Sequence, residues 1–225
     1  VKPLFNVKGD DARKLEESLE VFIKDGIKPP LTVQGWQDTA NKISGATGAI
    51  PKAIRNATGQ SRTQVDFLKS TNEARKYLSV EGGGYLTPKQ QKDTVNTIRN
   101  FFDSKQSNIG QVSADDAMDI TRRLEQEGYK LIRNGRSRGQ FDLVAKGQAY
   151  LTAADDTFNQ IARGIDAEGL FPIVRQNLVQ ELNGISPQLA QRAAQTQTME
   201  QLRSLSAPYV NISKAAFDTL GKGEP

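Results

Sequence analysis

Residues 140–163 read QFDLVAKGQAYLTAADDTFNQIAR, the longest regular stretch in the chain. Val144, Leu151 and Phe158 recur every seven residues, and so do Gly147, Ala154 and Ile161. This spacing predicts a long helix with an a/d seam whose small residues let a partner helix come close. Fewer than four heptads are present. Packing against the preceding helix of the same chain is therefore the simpler account, and an intermolecular coiled coil is the other.

The same periodicity extends outward in both directions. Upstream, Ser113 with Asp115 and Asp116 has the chemistry of a helix start, and Ala117, Ile120, Leu124 and Leu131 form its apolar stripe. Asn134-Gly135-Arg136-Ser137-Arg138-Gly139 is expected to break that helix as a glycine-framed loop. Thr87-Pro88 opens another helix, with Val95, Ile98 and Phe102 on one face. A further helix is expected from about Ser61 to Leu78, with Phe67, Thr71, Ala74 and Leu78 in register. Residues 45–51, GATGAIP, read as a tight crossing or loop.

Nearer the N-terminus, Ala12, Leu15, Leu19 and Phe22 make a stripe that Gly26 ends, and Thr32 can cap a short helix carrying Trp36. Downstream, Pro172 and Ser186-Pro187 each begin a helix, and a last short one follows Ser213. No alternating strand of five or more residues is visible. The expected fold is all-α, a multi-helix bundle of about eight or nine helices without significant sheet. Three consecutive glycines at 82–84 suit a hinge. The expected division is an N-terminal helical subdomain 1–81, a glycine-rich hinge 82–86 and a C-terminal bundle 87–225.

The chain contains no histidine and no cysteine. Nucleophile–base pairs built on His, zinc sites of Cys and His, and haem or iron–sulfur ligation are thereby removed. Acid–base work by paired carboxylates survives as an option. The acidic pairs are Asp10/Asp11, Glu16/Glu17, Asp115/Asp116 and Asp155/Asp156. Two of them look like helix starts, and the other two fall on exposed positions of helical patterns. No catalytic residue, cofactor or metal ligand is expected, and the chain reads as non-enzymatic. No stretch is long and apolar enough to span a membrane. The first and last residues read as a trimmed chain or as a piece of a much larger polypeptide.

Charge is the remaining signal. The chain carries a net +4. Between residues 122 and 138 stand Arg122, Arg123, Lys130, Arg133, Arg136 and Arg138 against Glu125 and Glu127, a surplus equal to that of the whole chain. On a helix, Arg122, Gln126, Tyr129 and Arg133 share the face opposite Leu124. Arginines around a tyrosine suit a phosphate backbone and a stacked base. The plainer reading is a solvated face with cations placed for the helix dipole.

The combination of Gln/Asn/Thr-rich helices, absent Cys and His, and glycine-punctuated joints resembles helical segments of large virion-internal or ejection proteins of tailed bacteriophages. That resemblance is one of overall texture and transfers no individual residue. It implies location in the virion, assembly into oligomers with other chains or other parts of a parent chain, and passage with DNA. The alternative reading is a helical binding module of a bacterial protein, cytoplasmic, secreted or translocated into a host.

Overall fold

The computed structural model describes residues 33–106, 108–205 and 208, with 13, 17, 18, 20, 21 and 23–26. The side chains of 33–41, 43, 44, 47 and 51 are outside that description. The expected first helical stripe (Ala12, Leu15, Leu19, Phe22), the Trp36 side chain and the helix after Ser213 lie outside the described residues. The fold is an all-α multi-helix bundle with one minimal two-stranded sheet. In order, the elements are α1 (Val33–Thr58), β1 (Gln64–Asp66), α2 (Phe67–Val80), α3 (Pro88–Asp103), β2 (Gln111–Ser113), α4 (Ala114–Arg138), α5 (Phe141–Ala167), α6 (Phe171–Asn183) and α7 (Pro187–Ala194).

Two compact units divide the chain. Residues 57–169 form one; residues 1–56 and 170–225 form the other. The division expected at 82–86 falls inside the first of these. There Gly83–Tyr85 make a single 3-10 turn joining α2 to α3, which pack on each other. The glycines serve a tight turn between neighbouring helices rather than a domain hinge.

In the 57–169 unit, α4 and α5 are an antiparallel hairpin linked by Gly139 and Gln140. Their approach is set by glycine. A Cβ on Gly147 would lie 2.6 Å from the Gly128 carbonyl oxygen, and one on Gly128 would lie 2.9 Å from that of Gly147. A Cβ on Gly135 would meet the Gln140 carbonyl oxygen at 2.7 Å and Val144 Cγ2 at 2.8 Å. Gly135 therefore stays inside α4, and the break expected at 134–139 does not occur. The helix runs to Arg138 and ends at Gly139, whose φ of 66° is the left-handed conformation a glycine adopts without cost. Ile120, Leu124, Phe158, Ile161 and Ile165 are fully buried in this unit, and Phe67 stacks on Phe102 with ring centroids 5.2 Å apart.

The helix expected from Ser61 begins later, at Phe67. Val65 pairs with Val112 across two antiparallel strands of three residues each. Each strand runs directly into a helix through its own cap. Asp66 accepts from the Leu68 and Lys69 N–H groups, and Ser113 accepts from the Asp116 N–H. Strands this short carry no readable alternation, so periodicity could not find them.

The other unit contains most of α1, with α6, α7 and a helical segment at 199–205. The loop expected at 45–51 is helical instead. Ala46, Ala49, Ile50, Ala53, Ile54 and Ala57 are all buried at i, i+3, i+4, i+7, i+8 and i+11, so one apolar stripe carries the helix across Pro51. Gly26 has a φ of 77°, and Asp25 before it is buried. Arg192 Nη1 donates to both oxygens of that carboxylate, at 2.8 and 2.7 Å, and the Ser186 hydroxyl donates to the Asp25 carbonyl. No helix among the described residues is long and apolar enough to cross a membrane.

Gly147→Ala is expected to destabilise the chain by about 1–3 kcal/mol in urea unfolding, because backbone on the facing helix must yield. Gly48→Ala, with nothing within 4 Å of the new methyl, is expected to be neutral or to stabilise by about 1 kcal/mol. Equal effects from the two would refute the steric account. Arg192→Ala removes a two-pronged donor from a fully buried carboxylate. A loss of about 1.5–3 kcal/mol is expected, read as faster hydrogen exchange across 171–194 with α4 and α5 unchanged.

Candidate nucleic-acid interface

Helix α4 separates its residues by face. Ala117, Ile120, Thr121, Leu124, Gly128 and Gly135 are buried. At 100° per residue, the opposite side carries Arg122, Gln126, Tyr129, Arg133 and Arg136, all exposed. Because the helix continues through Gly135, Arg136 joins this row rather than standing in a loop. From Arg122 to Arg136 the row spans 14 residues, about 21 Å along the axis.

Not every expected cation belongs to the row. The Arg123 guanidinium lies 5.1 Å from the centre of the Phe101 ring, a cation–π contact against α3. Lys130 flanks the row and pairs with Glu127 at 3.6 Å. Arg138 is exposed but sits about 160° round the helix from Arg122. Arg122 and Arg133 make no ion pair among the described residues. Tyr129 lies between them, with 47% of its surface exposed.

The seam residues take a different place. Val144, Gly147 and Leu151 face α4, with Leu151 Cδ2 2.9 Å from where a Gly128 Cβ would be. Ala154, Phe158 and Ile161 are buried. At Val144, Gly147 and Leu151 the chain's own preceding helix thus occupies the seam.

Two polar constellations that periodicity did not predict hold this unit together. The Glu168 carboxylate, just past α5, accepts from the Ser61 hydroxyl at 3.1 Å, the Thr63 hydroxyl at 2.9 Å and the Arg62 N–H at 3.0 and 3.1 Å. Desolvation pushes its carboxyl up. The hydrogen bonds from Thr63, Arg62 and Ser61 and the Arg62 charge outweigh this and hold it below the ordinary glutamate value. Gly164 makes room, since a Cβ there would lie 2.0 Å from Thr63 Oγ1. The second constellation centres on Asp156, which accepts from the Ser70 hydroxyl at 2.9 Å and the Gln160 amide at 2.8 Å. Asp156, expected on a solvated face, is a packed network member. Asp116 accepts from the Ser113 hydroxyl at 2.9 Å and pairs with Lys105 at 3.2 Å, and Asp115 accepts from Thr58 at 3.4 Å.

Grooves open on this unit among the described residues. One of about 590 Å³ is lined by Glu73, Lys76, Tyr77, Val80, Glu81, Gln148 and Thr152. These two glutamates stand eight residues apart along α2 and its cap, about 12 Å in axial rise. A smaller one, of about 310 Å³, is lined by Leu131, Leu143, Lys146 and Tyr150 among others. Burial raises the Tyr150 phenol above its usual value, with Glu127 adding to the effect.

No protein-family profile, curated protein or solved structure matches the chain.

Because the Glu168 carboxyl titrates below its unfolded value, its stabilisation is complete above the ordinary glutamate pKa of about 4.3 and is lost as pH falls through the folded value. Glu168→Gln is therefore expected to lower the urea midpoint at pH 7, by a margin that shrinks as the pH is taken down towards about 3. The gap at pH 7 should be on the order of 1 kcal/mol or less, given the group's exposure. A gap of the same size at both pH values would show that the ionised carboxylate is not what the Ser61–Thr63 cradle holds.

Proposed function

We propose that this chain is a non-enzymatic, helical assembly segment of a larger protein, of the kind carried inside tailed-phage particles and passed on with DNA. Within it the α4–α5 hairpin offers the Arg122–Tyr129–Arg133–Arg136 row to nucleic acid. The observation that carries this reading is the position of that row. It lies on the exposed side of a helix whose other side is fixed by glycine contacts. A straight line of arginines on a rigid helix is matched to a run of phosphates, which arginine binds with paired N–H groups. The packing of the seam within the chain supports a role for the hairpin as a platform. Assembly with other chains, or with the rest of a parent chain, falls to other surfaces.

A second reading is a helical protein-binding module of a secreted or translocated bacterial protein. It is favoured by an exposed aromatic pair, Tyr85 stacked on Phe141 with centroids 5.7 Å apart and the two rings 56% and 63% exposed. Val80, 75% exposed, lines the larger groove.

Titration with DNA at about 50 and 200 mM salt tests the first reading. Binding is expected at the lower salt and should weaken steeply at the higher. The Arg122→Ala/Arg133→Ala/Arg136→Ala variant should lose it, while Arg138→Ala retains it. No binding at low salt, or binding indifferent to the triple variant, would sink the nucleic-acid role and leave the protein-binding reading.

A further inference from the structure

We infer that the ligand of the α4 row is an unpaired polynucleotide strand rather than a duplex, with Tyr129 as the platform on which a base stacks. This rests on the nucleic-acid reading above and narrows it.

Three observations carry the choice. The first is the order of groups along the face. Arg122 lies about 10 Å before Tyr129 along the axis, and Arg133 and Arg136 lie about 6 and 10 Å beyond it. The aromatic ring therefore falls inside the line of cations. A strand whose phosphates meet those arginines brings its bases over the tyrosine. In a duplex the bases are stacked on each other and offer only their edges in the grooves, so an exposed ring inside the phosphate line has no base face to meet. An unpaired strand offers every base face, and stacking on aromatic side chains is the general way such strands are held.

The second is the ring's surroundings. Tyr129 is 47% exposed on a helix anchored beneath it, at Gly128, by backbone contact with Gly147. The platform is accessible and its backbone is fixed, so little freedom is lost when a base lands. Gln126, three residues back on the same exposed face, carries an amide able to donate to or accept from a base edge.

The third is charge. Arg122 and Arg133 make no ion pair among the described residues, which leaves them to phosphates. Towards the N-terminus of α4 the exposed acids Asp115 and Asp119 follow, and they close the cationic face at that end. The surface is thus a short tract confined to about 21 Å, suited to a few nucleotides of a flexible strand.

Fluorescence anisotropy tests this with the intact chain, using 20-nucleotide single strands of DNA and of RNA and a 20-base-pair DNA duplex, all at low salt. Either single strand is expected to bind more tightly than the duplex. The tighter of the two identifies the source of the strand. Tyr129→Ala is expected to weaken single-strand binding by about 5- to 150-fold, the range that loss of one base–aromatic stack gives. Tyr129→Phe should retain the parent affinity, and duplex binding should be unchanged by either. Thermal unfolding of both variants, measured alongside, separates loss of the fold from loss of the platform. A duplex bound as tightly as the strands, or single-strand binding indifferent to Tyr129→Ala, overturns the inference while the nucleic-acid reading stands. Failure of all three probes to bind overturns both.

Discussion

The contact between Gly128 and Gly147 governs the 57–169 unit. With no Cβ on either residue, each helix brings its backbone against a carbonyl of the other. That separation lets Ile120 and Leu124 on α4 share one core with Phe158, Ile161 and Ile165 on α5. A methyl at either glycine would push the helices apart by more than a packed interior tolerates. Gly135 repeats the device at the closed end of the hairpin, where Gln140 and Val144 come back against α4. The outward direction of the arginine row is a consequence. Once one side of α4 is committed to glycine and apolar contacts, the residues half a turn away face solvent.

Polar groups complete what close packing begins. The Gln160 amide accepts from the Asp66 N–H at 2.9 Å and donates to the Asp66 carbonyl at 3.0 Å. One side chain on α5 thus satisfies both backbone groups of a residue in β1, as a neighbouring strand would. The same amide's second N–H goes to Asp156 at 2.8 Å, with Ser70 Oγ 3.1 Å from the nitrogen, and the Thr157 hydroxyl lies 3.0 Å from Ser70 Oγ. Among the described residues no buried side-chain nitrogen or oxygen lacks a partner. A two-stranded sheet of three residues per strand is too small to stand alone. Here it is held by caps at the strand ends and by a glutamine at its edge.

What the sequence disclosed follows from which forces are local. Stripes such as Val95-Ile98-Phe102 and Ile120-Leu124 were legible because helical burial repeats every three or four residues, and Thr87 and Ser113 were legible as caps because capping is a contact three residues long. The glycines were legible only in part. Gly135 was read for backbone freedom, whereas its role is clearance for a chain returning five to nine residues later. Residues 45–51 suggest a crossing or loop, but the burial of six residues along one stripe outweighs the N–H that Pro51 lacks. The cradle around Glu168 joins groups 105 to 107 positions apart, and nothing in local pattern marks such a pair. In the candidate interface the face was legible and its membership was not. Arg123 leaves it for Phe101, and Arg136 enters it only because α4 does not break.

The arrangement of charge along α4 bears on why the arginines are there. Helix polarity favours acids in the first turn and bases in the last, and the effect fades within a turn of each end. Asp115 and Asp116 fit that rule, as do Arg136 and Arg138. Arg122 and Arg133 do not, since they stand sixteen and five residues before the helix end. Solubility alone does not single out arginine either, because lysine serves a solvated face equally and is the more strongly hydrated cation. Nor is intramolecular pairing the reason, as these two make no ion pair among the described residues. What distinguishes arginine is a planar fork of donors that grips an oxyanion from two sides. Dipole, solubility and pairing leave the choice of arginine at 122 and 133 unaccounted for, and the anionic partner proposed above is a reading that uses the property by which arginine differs from lysine.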